Sequence, residues 1–256
     1  MTTSKVEADI HIGKNHLSVN YSQRNYPVYT LHIDEEEIGC HWKFIGEITG
    51  WKPGNGQTKF GKRGYFAWTI PLPKAKVKGT IRFGTEQLKV NGFGYHDHNW
   101  GNFALAKVID YWYWGRIYSD QFTLIYAYIQ CNKKMNYYPI KVLMLANNNQ
   151  VILSTGEYQL FQNNFQMNKK VANTYPGHLT LNLANHLQMT LTVEKILDAE
   201  NLLADRNPII QFLAKHLLNL HLGYFRFTSH YELTVSLDDE NYHGHGTTLH
   251  EMVILK

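Results

Sequence analysis

Cysteine is nearly absent from this chain. Cys40 and Cys131 are the only two in 256 residues, and they stand far apart with no C-x-x-C pair. That excludes a disulfide framework and a cysteine-based zinc site. Long apolar runs are missing too. No stretch reaches the roughly 18 apolar residues that a membrane helix needs, and Met1 to Asp9 holds no apolar leader core. The chain therefore reads as soluble and cytoplasmic. No charge sign dominates, since 25 Lys and Arg face 21 Asp and Glu for a net of +4. The densest basic run, Lys74, Lys76 and Lys78, has period two and reads as a solvated strand face. Zinc-finger spacing, an RNA-binding aromatic box and a helix-turn-helix pattern are all lacking, so no nucleic-acid partner is expected. There is no G-x-S-x-G elbow and no phosphate-binding Walker loop. Gly92-x-Gly94 lacks the third glycine of a dinucleotide fingerprint, and no cofactor is expected.

Aromatics are what the chain has in plenty. Six Trp, 17 Tyr and 12 Phe make up 14% of it, enough to fill a β-core or to wall a pocket for a large apolar guest. Hydrophobic alternation has period two almost throughout. The clearest run is Tyr224 to Leu237, where Phe225, Phe227, Tyr231, Leu233 and Val235 alternate with polar neighbours. Similar runs are Pro27–Asp34, His41–Thr49, Gly64–Pro71, Val77–Phe83, Leu88–Gly94, Tyr111–Tyr118, Gln121–Cys131, Ile140–Ala146, His178–Ala184 and Leu187–Ile196. Many short strands parted by turn clusters indicate an all-β barrel or sandwich. One helix is expected over 208–222. Asn207 caps it, Pro208 fits its first turn, Gly223 lies past its end, and Ile209, Ile210, Leu213, Leu217 and Leu220 form its apolar face. A shorter helix is expected around Asp198–Asp205. The amphipathic helix would pack on a barrel, or make transient contact with a membrane surface. A domain boundary is expected near residue 100, giving domains 1–100 and 101–256.

Three segments could carry chemistry. The first is Gly94-Tyr95-His96-Asp97-His98-Asn99-Trp100-Gly101; extended, it sends His96, His98 and Trp100 to one face and Tyr95, Asp97 and Asn99 to the other. The second is Trp112-Tyr113-Trp114-Gly115-Arg116, with both Trp and the Arg on one face. The third is Tyr242-His243-Gly244-His245-Gly246, followed by His250 and Glu251. His96 with His98, and His243 with His245, have the spacing by which a strand offers two imidazoles to one ion. Zinc needs three or four ligands, which the two pairs could supply only if their strands are neighbours, and no metal is assigned. Asp97 between two imidazoles reads as a general acid, with Trp100, Trp112, Trp114, Tyr126 and Tyr128 beside it as candidate pocket walls.

GYHDHNWG, followed by WYWGR and by a closing Gly244-His245-Gly246 before Glu251, resembles the signature of the carotenoid 1,2-hydratase (hydroxyneurosporene synthase) and AttH-like superfamily. The resemblance implies two lipocalin-like (calycin) β-barrel domains side by side, with the signature near their junction. Only about 93 residues precede Gly94, so it implies a short or incomplete first barrel. Unclosed edge strands give a physical reason to expect a homodimer or partner subunit. It also implies a large hydrophobic ligand, a terpenoid or polyene. Residue by residue, His98 and Trp100 match its His-x-Trp, His96 and Asp97 the polar residues before it, and Trp112, Trp114 and Arg116 its second motif. Where the hydratases are expected to carry Tyr-x-Asp, this chain has Tyr126-Ala127-Tyr128.

The functional expectation is a cofactor-independent enzyme that binds a large isoprenoid or polyene and starts its cyclisation with a proton. Asp97, polarised by His96 and His98, would be the acid, and Tyr126 or Tyr128 a phenolic relay. Tyr95, Asn99, Trp100, Trp112, Trp114 and Arg116 would bind the substrate. The alternatives are a Diels–Alder-type pericyclase, a carotenoid-type hydratase, and a lipocalin-like carrier that does no chemistry.

Overall fold

The computed structural model describes residues 2–3, 8–21, 26–204, 207 and 222–256. The helix expected over 208–222 lies outside the described residues. The chain divides into two compact units, one of residues 1–58, 66–100 and 149–151, the other of 59–65, 101–148 and 152–256.

The first unit is built on β1 (Thr2–Thr3), β2 (Asp9–Ile12), β3 (Asn15–Asn20), β4 (Val28–Asp34), β5 (Ile38–Gly46), β6 (Gln57–Lys59), β7 (Tyr65–Phe83) and β8 (Glu86–Gly101). They lie in the order β1-β2-β3-β4-β5-β7-β6, with β8 also paired to β7. Two expectations change here. Gly64–Pro71 and Val77–Phe83 are halves of one 19-residue strand, because Pro71 and Pro73 bend the pattern without ending it. The Leu88–Gly94 run is also longer than expected: β8 continues through Gly101, so the pleat governs every residue of the signature. One face carries the core, with Val19, Tyr29, Leu72 and Ala75 buried and Leu17 and Phe44 packed against them. The opposite face is wet. Lys74, Lys76 and Lys78 lie on it, and Lys76 pairs with Glu47 at 2.9 Å.

The second unit contains β9 (Ile109–Tyr118), β10 (Phe122–Cys131), β11 (Pro139–Asn147), β12 (Gln150–Thr155), β13 (Gln159–Asn168), β14 (Asn173–Leu183), β15 (Leu187–Asn201), β16 (Gly223–Leu237) and β17 (Glu240–Ile254). The order is β12-β11-β10-β9-β17-β16-β15-β14-β13. Asp198 to Asn201, expected to begin a short helix, instead extend β15, paired with Gly223 to Arg226. The sheet curls. Tyr113 on β9 donates to Gln162 on β13, five places away in the sheet, and Tyr158 donates to the Ala127 carbonyl of β10. Inside the curl lies one apolar cluster that includes Tyr113, Leu124, Tyr126, Leu143, Tyr158, Phe225, Phe227 and Met252.

Gly94 shows why the signature opens on glycine. A Cβ there would stand 2.5 Å from two atoms of the Phe44 ring and 2.7 Å from Val77 Cγ2. A ring held in a packed core cannot give that much. Gly94→Ala should therefore destabilise the protein by about 1–3 kcal/mol through overpacking. Urea unfolding checks this, and pairing it with Phe44→Leu should recover part of the loss.

Candidate functional site

β8 sorts the signature into two sets. Toward one face, three donors converge on a single oxygen of Asp97. Trp68 Nε1 donates to Oδ2 at 2.8 Å, Tyr95 Oη at 3.0 Å and Asn99 Nδ2 at 3.2 Å. Tyr95 and Asn99 reach it because residues two apart on a strand share a face. Trp68 comes from β7, and its ring meets Trp51 edge-to-face at 6.1 Å. With Oδ2 filled, a proton on Asp97 has only Oδ1 to occupy.

The imidazoles lie apart from these bonds. His96 meets the Tyr29 ring edge-on at 5.2 Å, and His98 stacks on Trp100 at 5.0 Å. Burial holds His96 below the usual imidazole range, against the opposing pull of Asp97, and its Nδ1 has no hydrogen-bond partner among the described residues. The hydrogen bonds that position Asp97 thus come from Trp68, Tyr95 and Asn99, not from the flanking imidazoles expected to polarise it. Trp68 is the residue the sequence reading passed over. It lies in the Gly64–Pro71 run, whose alternation marks a strand and not a partner for Asp97.

The second motif lies in the second unit. On β9, Tyr113, Gly115 and Ile117 turn into the core, while Trp112, Trp114, Arg116 and Tyr118 share the half-buried opposite face. The Arg116 guanidinium lies over the rings of Trp114 at 5.6 Å and Tyr118 at 5.8 Å, a cation–π stack. Glu251 on β17 stands opposite Trp114 in register. Its Oε1 accepts from Tyr224 Oη at 2.9 Å and Arg226 Nε at 3.0 Å. Burial, followed by the bond to Glu251, pushes the Tyr224 phenol up to about 12.

Gly115 answers for the glycine of this motif. A Cβ there would lie 2.7 Å from the Tyr126 ring and 3.0 Å from His250 Cβ. Tyr126 is wholly buried, and its hydroxyl has no hydrogen-bond partner among the described residues. Burial drives its pKa far up, so it is a neutral phenol. Tyr128, half-buried, donates to Gln130 Oε1 at 3.0 Å. Of the expected site residues, Tyr95, Asp97 and Asn99 are joined by direct hydrogen bonds; Tyr126 and Tyr128 belong to the other unit, each with surroundings of its own.

Two antiparallel sheets, each with an apolar cluster on one face and the second one curled, define a lipocalin-like β protein. Comparison with known proteins gives the family. Residues 1–170 match the model of the carotenoid hydratase CrtC, and the chain belongs to that family. A hydroxyneurosporene dehydrogenase of Chlorobaculum tepidum is 37% identical over 86 residues, 31% of this chain and 22% of that protein. The quinolone epoxide rearrangement protein penF of Penicillium thymicola is 32% identical over 110 residues, 40% of this chain and 30% of its own. The matches thus span less than a third of these curated relatives. Among solved structures, an AttH-type protein of Nitrosomonas europaea superposes with TM-score 0.66 at 13% identity, over 95% of this chain and 68% of that one. Kievitone hydratase of Nectria haematococca gives 0.61 at 15%, over 99% and 72%. These two likenesses show the fold. Among the described residues no helix is long and apolar enough to cross a membrane.

His250 sits in the core of the second unit, stacked on Phe227 at 4.8 Å with Nδ1 3.1 Å from Ser229 Oγ. Burial lowers its pKa from 6.5 to about 3. The folded state therefore refuses a proton that the unfolded state takes up. Its contribution is complete above about pH 6.5 and is lost as pH falls toward about 3, by at most about 1.4 kcal/mol per pH unit. Urea unfolding between neutrality and about pH 4 should show a steeper loss for the wild type than for His250→Asn. Equal slopes would refute the assignment.

Proposed function

We propose that the protein is a cofactor-independent enzyme acting on the carbon–carbon double bonds of a large hydrophobic isoprenoid or polyene, with Asp97 delivering the proton that starts cyclisation. The observation that carries this reading is the convergence of Trp68, Tyr95 and Asn99 on Asp97 Oδ2. Such a clamp fixes the carboxyl and directs Oδ1 as the one oxygen able to give up a proton. Trp68 and Tyr95 reach it, with Trp51 edge-on against Trp68, and aromatic faces stabilise a developing carbocation without capturing it. Membership of a hydratase family supports chemistry on a polyene, and the chain also resembles the quinolone epoxide rearrangement protein penF and kievitone hydratase.

In the proposed step the Oδ1–H bond breaks and a C–H bond forms at one alkene carbon. A second double bond closes on the resulting cation, and loss of a neighbouring proton gives an isomer of the substrate. Hydration is the second reading, favoured by the family itself: water then adds to the cation and releases a proton. Tyr128, standing where hydratases are expected to carry Asp, favours the first.

Turnover of an acyclic carotenoid in deuterated, oxygen-18-labelled water separates the readings. Proton-initiated cyclisation should place solvent deuterium, and no solvent oxygen, in the product. Hydration places both, and a pericyclic reaction neither. Asp97→Asn should lower the rate by about 100- to 10,000-fold while keeping the fold, as judged by near-UV circular dichroism. A folded Asp97→Asn protein with full activity would remove Asp97 from the mechanism, and an unchanged bound polyene would leave a carrier.

A further inference from the structure

β2 and β3 form a hairpin in which His11 stands directly opposite His16. Cross-strand partners point to the same side, and Asp9, two residues before His11, shares it. The two imidazoles lie face to face, with centroids 4.0 Å apart and planes 9° from parallel. Both direct Nε2 at the same atom, Asp9 Oδ1, from 2.6 Å for His16 and 3.1 Å for His11. Two imidazole nitrogens and one carboxylate oxygen thus lie within 4.8 Å of one another. These are neither of the histidine pairs singled out by spacing. His243 instead bonds Thr234, and His245 faces His230 across 6.5 Å.

From this geometry we propose that Asp9, His11 and His16 form a binding site for a late first-row divalent cation of the zinc type. The donor set is right for such an ion, which takes imidazole nitrogen and carboxylate oxygen together. Bonds of about 2.0–2.2 Å set tetrahedral ligand atoms roughly 3.3–3.5 Å apart, so the two rings, now nearly parallel, must tilt out of their stack to turn both Nε2 lone pairs on one ion. The face is the wet one, open to an entering ion, while Asp9 and His16 are only half-exposed and held by a paired strand on either side. Binding uses the lone pairs of both Nε2 atoms, so each imidazole then carries its hydrogen on Nδ1. Three protein ligands leave a fourth position for water. The ion would tie β2 to β3 and fix the hairpin near the edge of the sheet.

Zn2+ alone, titrated calorimetrically into the metal-stripped chain, should bind at one ion per chain. His16→Asn and Asp9→Asn should each weaken it by roughly tenfold or more. His41→Asn, on the same face two strands away from β3, should leave it unchanged. Co2+ in place of Zn2+ should give the visible absorption of a tetrahedral nitrogen–oxygen site. Absence of saturable Zn2+ binding by the wild type overturns the proposal, and so does undiminished binding by a His11→Asn/His16→Asn double variant.

Discussion

The two-residue period of the strand decides which side chains here can act together. Nearly every residue of chemical interest lies on a strand, and a strand separates neighbours in sequence as firmly as it joins residues two apart. On β8 that rule joins Tyr95, Asp97 and Asn99 and sends His96 and His98 elsewhere. On β9 it buries Tyr113 and Gly115 and leaves Trp112, Trp114 and Arg116 together on the other face. A motif that looks like one dense cluster in sequence is two half-motifs with different surroundings.

The same rule explains the glycines of both motifs. Each stands where a strand passes close over an aromatic ring, Phe44 beneath Gly94 and Tyr126 beneath Gly115. A side chain at either position would push on a core ring, so packing sets the motif glycines. Gly115 and Tyr126 also pair directly in register between β9 and β10, which makes the ring's position a consequence of the strand pairing. The buried, neutral phenol of Tyr126 follows from that pairing. A hydroxyl with no partner among the described residues costs about 1–3 kcal/mol in such a core, so the ring's packing has to outweigh it.

Much of this was legible in the sequence. Alternation placed β4, β5, β9, β10, β11, β15 and β16 close to where they lie, because one wet and one apolar face leave a clear imprint. β2, β3 and β13 were not legible, since polar residues such as those of Gln159–Asn168 leave no alternating record. The facing of the signature residues followed from counting by twos. Trp68 did not, for its bond to Asp97 joins positions 29 apart and depends on how β7 and β8 pair. The triad of Asp9, His11 and His16 was hidden for a related reason. Its i,i+2 half is visible in sequence, but the third member comes from the far arm of a hairpin whose register no short pattern encodes.

Asp97 shows how the pleat and one long-range bond divide the work of placing a single carboxyl. Tyr95 and Asn99 reach it from its own strand, two residues to either side, and Trp68 reaches it from β7. With three donors on Oδ2, Oδ1 is the oxygen outside these bonds. Loss of any one donor leaves two others on the same atom, so the orientation of the carboxyl is over-determined, and it is on that orientation that the step proposed for Asp97 depends.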